Sequence, residues 1–180
     1  MKNYPKIAIN ILLARLLSIV PIERFDFYAI GAYRRAQKLG FGEGTRIYAT
    51  AIVYGHPKVG KNVFIGPYAI VDGTGPLTIG DECHVSLHAM VWTHSTYPEC
   101  LAGDAAKEKV SVGEVIIENN VFIGAGAIIL PGTQVGHHSL IAAGSVVTRD
   151  IPPYSLVEGV PAKVTGKVNI QNGEVKIERE

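Results

Sequence analysis

Aliphatic residues return at every sixth position along much of this 180-residue chain. Over residues 117–152 the recurring positions are Ile117, Ile123, Ile129, Val135, Ile141 and Val147. The residue two positions before each of these is mostly small: Val115, Val121, Ala127, Thr133, Ser139 and Ser145. Residues two apart on a strand point to the same side, so each pair places a large and a small side chain in one interior. Short strands with turns at a period of six predict a solenoid.

The same period extends toward the N-terminus and predicts the extent of the solenoid. It runs through Phe41, Ile47, Val53, Val59, Ile65 and Val71 and, after two extra residues in the turn at 73–76, through Ile79, Val85 and Val91. The 26 positions from Val91 to Ile117 are not a multiple of six, which predicts one extruded loop at about 95–113. The fifteen hexads predict an all-β solenoid of about five three-sided coils over residues 41–152.

Two local features support this interpretation. Gly124 and Gly136 follow their aliphatic residues, where a tight corner favours a residue without a Cβ. An ordinary parallel sheet requires crossover connections of a dozen or more residues, usually helices, and the repeat leaves no room for them.

Residues 1–40 form a separate N-terminal segment that we predict to be helical. Residues 7–20 are apolar but too short to span a bilayer, which requires about 20 apolar residues. Residues 22–39 predict a second helix, closed by Gly40, with one side formed by Phe25, Ala29, Ala32 and Ala36. The helices either cap the solenoid or pack in an oligomer. The alternative is peripheral membrane contact, in which lipid headgroups meet Arg15, Arg24, Arg34 and Arg35.

Residues 153–180 form a C-terminal extension. Pro152 and Pro153 cannot continue a hydrogen-bonded ladder, so we expect the chain to leave the solenoid there. Alternating apolar residues on both sides of Asn172-Gly173 predict a hairpin.

Composition narrows the class of protein. The net charge of +1 provides no broad positive field, which argues against nucleic-acid binding. Two cysteines without a secretory segment indicate a reducing, cytoplasmic setting. Cys83 occupies a small interior position and Cys100 lies in the predicted loop, and a pairing of the two remains open.

Three motifs carry a family resemblance: NNVFIGAGAIILPGTQVG, LIAAGSVVTRDIPP and GVPAKV. They resemble motifs of the hexapeptide-repeat acyltransferases and, within that family, of the sugar, galactoside and maltose O-acetyltransferase group. The resemblance covers roughly residues 40–167. It implies a left-handed parallel β-helix and a homotrimer that binds acetyl-CoA, the acyl donor, in a cleft between neighbouring subunits. The left hand is implied by the resemblance alone, because ordinary crossover rules favour the other hand.

Acyl transfer from a thioester to a hydroxyl requires a base, and histidine is suited to this because its pKa lies near neutrality. In the resembled family a histidine just before the extruded loop is the general base, which implies that role for His94 in VWTHSTYP. The alternative is an exposed loop histidine.

The acceptor side offers three candidates, each with an alternative. The resemblance implies that Asp72 contacts the acceptor, and the alternative is a turn residue. Trp92 either stacks on a sugar ring or packs under the neighbouring subunit. His84 either lines the acceptor pocket or faces solvent. Where the galactoside enzymes carry an asparagine one coil earlier, this chain has Gly66, which leaves a hydroxyl or an amine acceptor open.

The donor side follows the family pattern more closely. The resemblance places acetyl-CoA against Ala125, Ala143, Thr148 and Arg149. The CoA phosphates would be bound by the cations of Arg149, Lys163 and Lys167, since guanidinium and ammonium groups bind phosphate well.

We therefore predict an acetyl-CoA-dependent O-acetyltransferase that acts on a small-molecule sugar or glycan precursor, with direct attack by the acceptor. An N-acetyltransferase for a nucleotide-linked amino sugar is the first alternative, and a non-catalytic hexapeptide scaffold is the second. The γ-type carbonic anhydrases share this solenoid and bind zinc through three histidines. Two of their ligand positions match Leu87 and Trp92, neither of which binds zinc, so we expect no metal.

Overall fold

The computed structural model describes residues 27–102 and 110–179. Within these ranges the chain is a left-handed parallel β-helix of about six turns, which confirms the predicted fold class. The predicted helix over 7–20 lies outside the described residues. The helices are α1 (Phe27–Lys38) and α2 (Tyr97–Ala102). The strands are β1 (Arg46–Ile47), β2 (Ile52–Gly55), β3 (Lys58–Val59), β4 (Phe64–Ile65), β5 (Ile70–Gly73), β6 (Leu77–Ile79), β7 (His84–Val85), β8 (Met90–Val91), β9 (His94–Ser95), β10 (Ser111–Val112), β11 (Val115–Ile117), β12 (Phe122–Ile123), β13 (Ile128–Ile129), β14 (Gln134–Val135), β15 (Leu140–Ile141), β16 (Val146–Val147), β17 (Ser155–Gly159), β18 (Ala162–Gln171) and β19 (Glu174–Arg179).

Three parallel sheets form the three sides of the solenoid, and each complete coil contributes one strand to each sheet. The first sheet has the order β1-β4-β7-β12-β15-β17 and is extended by the antiparallel strands β18 and β19. The second sheet is β2-β5-β8-β13-β16, and the third is β3-β6-β11-β14. The pairing is in register, so that Ile47 lies beside Ile65 and Val85 beside Ile123. Residues of the six-residue repeat therefore stack directly on one another.

The interior consists of the aliphatic columns that the period predicts. The large residues Ile65, Val85, Ile123 and their equivalents are fully buried, and Cys83 is buried with them. Small polar residues in the interior are satisfied locally. The Ser139 hydroxyl donates to the Pro152 carbonyl at 3.0 Å. Burial of each large aliphatic side chain contributes about 1.5–3 kcal/mol, which makes this column the main source of stability.

The glycines after the aliphatic residues have no room for a Cβ, and the atoms that exclude one belong to the next coil. Gly124 and Gly136 are not among the residues with positive φ, so they do not supply a left-handed turn. A Cβ on Gly124 would lie 2.6 Å from the Ala143 nitrogen, and one on Gly136 would lie 2.4 Å from the Pro153 nitrogen. Close approach of the next coil therefore favours glycine at these two positions.

The predicted number of coils, about five, is too small because the stack continues beyond residue 152. Ile151 forms a parallel bridge with Val135, and β17 pairs in parallel with β15. Pro152 and Pro153 lie at a corner between these contacts, where neither is part of a strand. The prolines therefore turn the chain into one more partial coil.

The two ends of the solenoid are covered differently. Helix α1 buries Ala32 and Ala36, and it ends before Gly40, which has a φ of 74°. The Arg35 guanidinium donates to the carbonyls of Tyr48 and Ala51 in the first coil, so this arginine caps the stack. At the other end β18 and β19 form the hairpin that the Asn172-Gly173 pair predicts.

No helix in the described part of the chain is long and apolar enough to cross a membrane.

The outer faces of the three sheets differ in polarity. The third sheet presents mainly polar residues, among them Lys58, Thr78 and Gln134. The second sheet presents one aliphatic side chain or methionine from each strand, Ile52, Ile70, Met90, Ile128 and Val146, together with the exposed Tyr54 of β2. The first sheet presents Arg46, Phe64, His84, Phe122 and Leu140. Two faces of the solenoid are thus largely apolar or aromatic.

Candidate active site

The extruded loop begins beside a buried carboxylate. Strands β9 and β10 form an antiparallel ribbon at the base of the loop, in which His94 lies opposite Val112. The Nδ1 atom of His94 is 2.6 Å from Oδ2 of Asp72, which lies in β5 one coil earlier. Asp72 is fully buried, whereas a quarter of the His94 side chain is exposed. The Asp72–His94 pair therefore extends from the interior to the surface at the corner that follows the second sheet.

Asp72 accepts hydrogen bonds at both carboxylate oxygens. Oδ2 also accepts from the Thr93 main-chain N–H at 2.8 Å and lies 2.9 Å from the Thr93 hydroxyl. Oδ1 accepts from the Thr74 N–H at 3.0 Å. Burial by itself raises the pKa of Asp72, but the hydrogen bonds from Thr74, Thr93 and His94 outweigh it and hold the pKa well below its usual range. Asp72 is therefore an ionised carboxylate at neutral pH.

The ionised Asp72 determines how His94 is protonated. A carboxylate only accepts hydrogen bonds, so Nδ1 of His94 must be the donor. The lone pair of the neutral ring is then on Nε2. This is the arrangement that a histidine requires to remove a proton from a second molecule.

The structure buries the Asp72 side chain completely. Its hydrogen bonds run to His94, to Thr93 at the base of the loop and to the Thr74 N–H, which closes a local turn. Contact between Asp72 and the acceptor stays a prediction, and the observed contacts hold His94 against the carboxylate.

Trp92 lies next to His94, and the structure adds Tyr54, which we did not predict. The Trp92 ring centroid is 6.1 Å from that of His94 in an edge-to-face arrangement. The Tyr54 and Trp92 rings are 6.4 Å apart and nearly parallel, at an interplanar angle of 23°. Tyr54 follows the inward residue Val53 as Trp92 follows Val91. That shared position in the repeat is the sequence signal by which Tyr54 can be found.

His84 is not brought to this site within one chain. It lies in β7 on the first sheet, where its ring stands between Phe64 at 5.0 Å and Phe122 at 5.9 Å. Desolvation by these surroundings, together with the nearby Arg46 charge, lowers the pKa of His84. Within the described chain its environment is an aromatic column, which differs from the acceptor pocket that we considered for it.

The predicted donor residues Ala125 and Ala143 lie together at the corner between the first and second sheets. Gly144 N–H donates to the Ala125 carbonyl at 2.9 Å, so the two alanines are in successive coils. Both are exposed, and the space where a Cβ of Gly126 or Gly144 would lie is open. The same corner carries stacked Tyr68 and His88 rings in lower coils. The upper coils thus form a shallow shelf of small residues.

The other donor candidates are distributed around the last coils. Thr148 and Arg149 are exposed immediately after β16, at the far edge of the second sheet from the alanines. Lys163 and Lys167 are exposed on β18, where Lys163 lies opposite Glu158. The structure therefore places Ala125, Ala143, Thr148 and Arg149 on two edges of one apolar face, with the lysines beyond its end.

The described residues form neither a metal site nor a disulfide. Within 27–102 and 110–179 no three histidine, cysteine or acidic side chains are grouped so as to hold a metal ion. Cys83 is buried, Cys100 is exposed, and both are free thiols, so the pairing left open by the sequence is not formed.

The fold and the site define a class: a hexapeptide solenoid with a carboxylate–histidine pair at the base of an extruded loop. Family models agree with this class. The model described as bacterial transferase hexapeptide (six repeats) matches residues 114–149, and that of the hexapeptide repeat of succinyl-transferase matches residues 58–86. The chain is thus similar to hexapeptide-repeat transferases over these two segments.

The relatives include both O-acetyltransferases and N-acetyltransferases. The chain is 36% identical over 118 residues to a galactoside O-acetyltransferase of Lactococcus lactis, covering 61% of this chain and 55% of that protein. It is 47% identical over 62 residues to the 2,3,4,5-tetrahydropyridine-2,6-dicarboxylate N-acetyltransferase of Enterococcus faecalis, covering 34% of this chain and 27% of that protein. The chain thus spans about half of the first relative and about a quarter of the second.

A solved structure of a hexapeptide-repeat acetyltransferase from Vibrio cholerae is also similar. The TM-score is 0.69 at 26% identity, and the match covers 79% of this chain and 82% of that one.

Proposed function

We propose that this protein transfers the acetyl group of acetyl-CoA to a hydroxyl of a sugar or glycan precursor, with His94 as the general base. The contact between His94 Nδ1 and Asp72 Oδ2 carries this proposal, because it leaves Nε2 unprotonated on the partly exposed member of the pair. The galactoside O-acetyltransferase relative supports a sugar hydroxyl as the acceptor.

The mechanism requires one proton to be moved twice. Nε2 of His94 removes the hydroxyl proton as the acceptor oxygen attacks the carbonyl carbon of the thioester. When the carbon–sulfur bond breaks, the proton returns from His94 to the CoA sulfur, which completes the balance. Asp72 stabilises the imidazolium between these steps and keeps the ring in the productive orientation. Acetyl-CoA supplies the activated acyl group.

The outer face of the second sheet is suited to hold the donor. Its shelf of Ala125 and Ala143 offers space for a flexible chain, and the aliphatic Ile128 and Val146 provide an apolar floor. Arg149, Lys163 and Lys167 would supply positive charge for the phosphates. The residues present therefore fit a long, partly apolar donor with an anionic end.

We also propose a homotrimer with active sites between subunits. Each chain exposes two largely apolar or aromatic faces and one mainly polar face. A cyclic assembly covers both of the former by placing the first sheet of one chain against the second sheet of the next. That arrangement would bring a neighbouring subunit to the donor face.

An amine acceptor is the second candidate, supported by the N-acetyltransferase relative from Enterococcus faecalis and by Gly66 in place of the family asparagine. A panel of sugars, amino sugars and nucleotide-sugars assayed for CoA release decides between the two. A product acetylated on nitrogen would replace the hydroxyl proposal.

The test of the base compares His94→Ala with the control His138→Gln, because the His138 ring is stacked on Tyr154 at another corner. We expect His94→Ala to lower kcat by about a hundredfold or more, and His138→Gln to leave it nearly unchanged. A wild-type trimer that binds no acetyl-CoA and turns over no acceptor would instead indicate a scaffold.

A further inference from the structure

The stacked rings of Tyr54 and Trp92 lie beside His94, and we infer that this pair binds the pyranose ring of the acceptor. The identity of the reaction rests on the proposed acetyl transfer, whereas the binding surface follows from the positions of the two rings. Tyr54 is in register with Asp72 on the second sheet, and Trp92 follows Val91 in the next coil. The two aromatic residues therefore lie on opposite sides of Asp72 in one column.

The two rings lean toward each other across the rung of Asp72. Their backbones are two rungs apart, which corresponds to about 9.6 Å at the usual strand spacing of about 4.8 Å. Their ring centroids are only 6.4 Å apart, so the side chains lean toward each other. Tyr54 is 45% exposed in the single chain, so part of the aromatic surface is available to a ligand in the proposed cleft between subunits.

The aromatic pair also presents polar atoms along its rim. In the described part of the chain, neither the Tyr54 hydroxyl nor the Trp92 indole N–H has a hydrogen-bond partner. Half-buried tyrosine and tryptophan usually place these groups where a polar partner can reach them. An apolar surface with donors at its edge fits a pyranose, which has a face of C–H groups and hydroxyls around its rim.

The charge at this surface favours a neutral sugar over an acidic acceptor. Asp72 is ionised in the rung between the two aromatic residues, and a buried negative charge repels a carboxylate placed near it. Thr93 and His94, which follow Trp92 in the chain, carry a hydroxyl group and an imidazole. A pyranose lying against the rings would hold one hydroxyl beside His94, whose ring is 6.1 Å from Trp92.

Trp92 is the only tryptophan of the chain, so its fluorescence reports binding directly and without turnover. We would titrate the full-length protein with methyl β-galactopyranoside and methyl β-glucopyranoside. Sorbitol serves as an acyclic polyol and uridine as a planar base. The expected result is a saturable change in emission with at least one pyranoside and none with sorbitol or uridine. An equal response to sorbitol or to uridine would overturn the inference.

Variants at Tyr54 test the second ring. Tyr54→Leu should raise the pyranoside Kd and the acceptor KM about tenfold, the upper range for loss of one aromatic contact, while kcat stays within about twofold. Tyr54→Phe keeps the ring and should restore most of the binding. The matched control is Tyr154→Leu, since Tyr154 is 43% exposed and stacked on His138 at another corner.

The outcomes separate this inference from the proposed function. Turnover of sugars with the same KM in Tyr54→Leu and Tyr154→Leu would refute the ring pair and leave acetyl transfer intact. Saturable pyranoside binding that Tyr54→Leu weakens, in a protein that never releases CoA, would support the ring pair and refute acetyl transfer.

Discussion

The substitution Asp72→Asn tests the carboxylate–histidine pair with little change in shape. Asp72 accepts from Thr74 N–H through one oxygen and from Thr93 N–H and His94 Nδ1 through the other. Asparagine offers one acceptor oxygen and one NH₂ group, so at least one donor must face another donor. If the amide oxygen takes the position of Oδ2, the conflict falls on Thr74 and costs about 1–3 kcal/mol of stability.

The same substitution removes the charge that supports His94. A neutral acceptor in place of a charged one weakens the bond to His94 Nδ1 by about 1–1.5 kcal/mol, equivalent to about fivefold to fifteenfold in rate. If the amide is reversed, its NH₂ group donates to Nδ1 and leaves Nε2 protonated, which disables the base. We therefore expect kcat to fall between about fivefold and the hundredfold loss of His94→Ala.

The assay is CoA release at saturating acetyl-CoA, with kcat and KM determined for one acceptor that is turned over. Asp81→Asn is the matched control, because Asp81 also accepts a backbone N–H, that of Lys61 at 2.7 Å, at another corner. If Asp72 acts through His94, the variant Asp72→Asn/His94→Ala should be no slower than His94→Ala alone.

Two results would refute the reasoning about Asp72. One is a folded Asp72→Asn protein whose kcat is within twofold of the wild type. The other is a change confined to the acceptor KM, which would favour the role in acceptor contact implied by the family resemblance.

Three further predictions concern the solenoid. Because the folded-state pKa of Asp72 lies below its unfolded value, Asp72 stabilises the fold fully above about pH 4 and loses this effect as the pH falls. The urea midpoint of Asp72→Asn should therefore fall less than that of the wild type between pH 5 and pH 3, and parallel curves would contradict this. Burial raises the pKa of Cys83 to about 11. A thiol reagent at pH 8 should therefore modify only Cys100 in the native protein and both cysteines after denaturation. Fast labelling of both cysteines in the native protein would contradict the buried position of Cys83. Gly124→Ala should destabilise the fold by about 1–3 kcal/mol, because its Cβ would lie 2.6 Å from a backbone nitrogen. The control Gly31→Ala has open space for its Cβ and should be neutral or stabilising. Equal denaturation midpoints for the two variants would refute the close approach.

The interior was predictable because a six-residue repeat has one geometric solution. Ile123 and Val121 point inward for the same reason as Ile65 and Val63, and all four are buried. The coil count was less accurate because Ile151 follows Val147 by four positions and breaks the period just before the final partial coil. The glycine positions were visible in the sequence, but the reason for glycine was not, since only the neighbouring coil shows the contact.

By itself, the sequence determined the repeat, the interior columns, the interrupting loop and the histidine at its base, because these depend on residue type and spacing along the chain. The tertiary structure alone decided which side chains meet across coils. Asp72 and His94 are 22 residues apart, and Tyr54 and Trp92 are 38 apart, yet stacking brings each pair into contact. It also separated His84 from His94, because they lie on different sides of the solenoid. Spacing predicts the phase of a repeat, whereas contacts between coils depend on side-chain direction and burial.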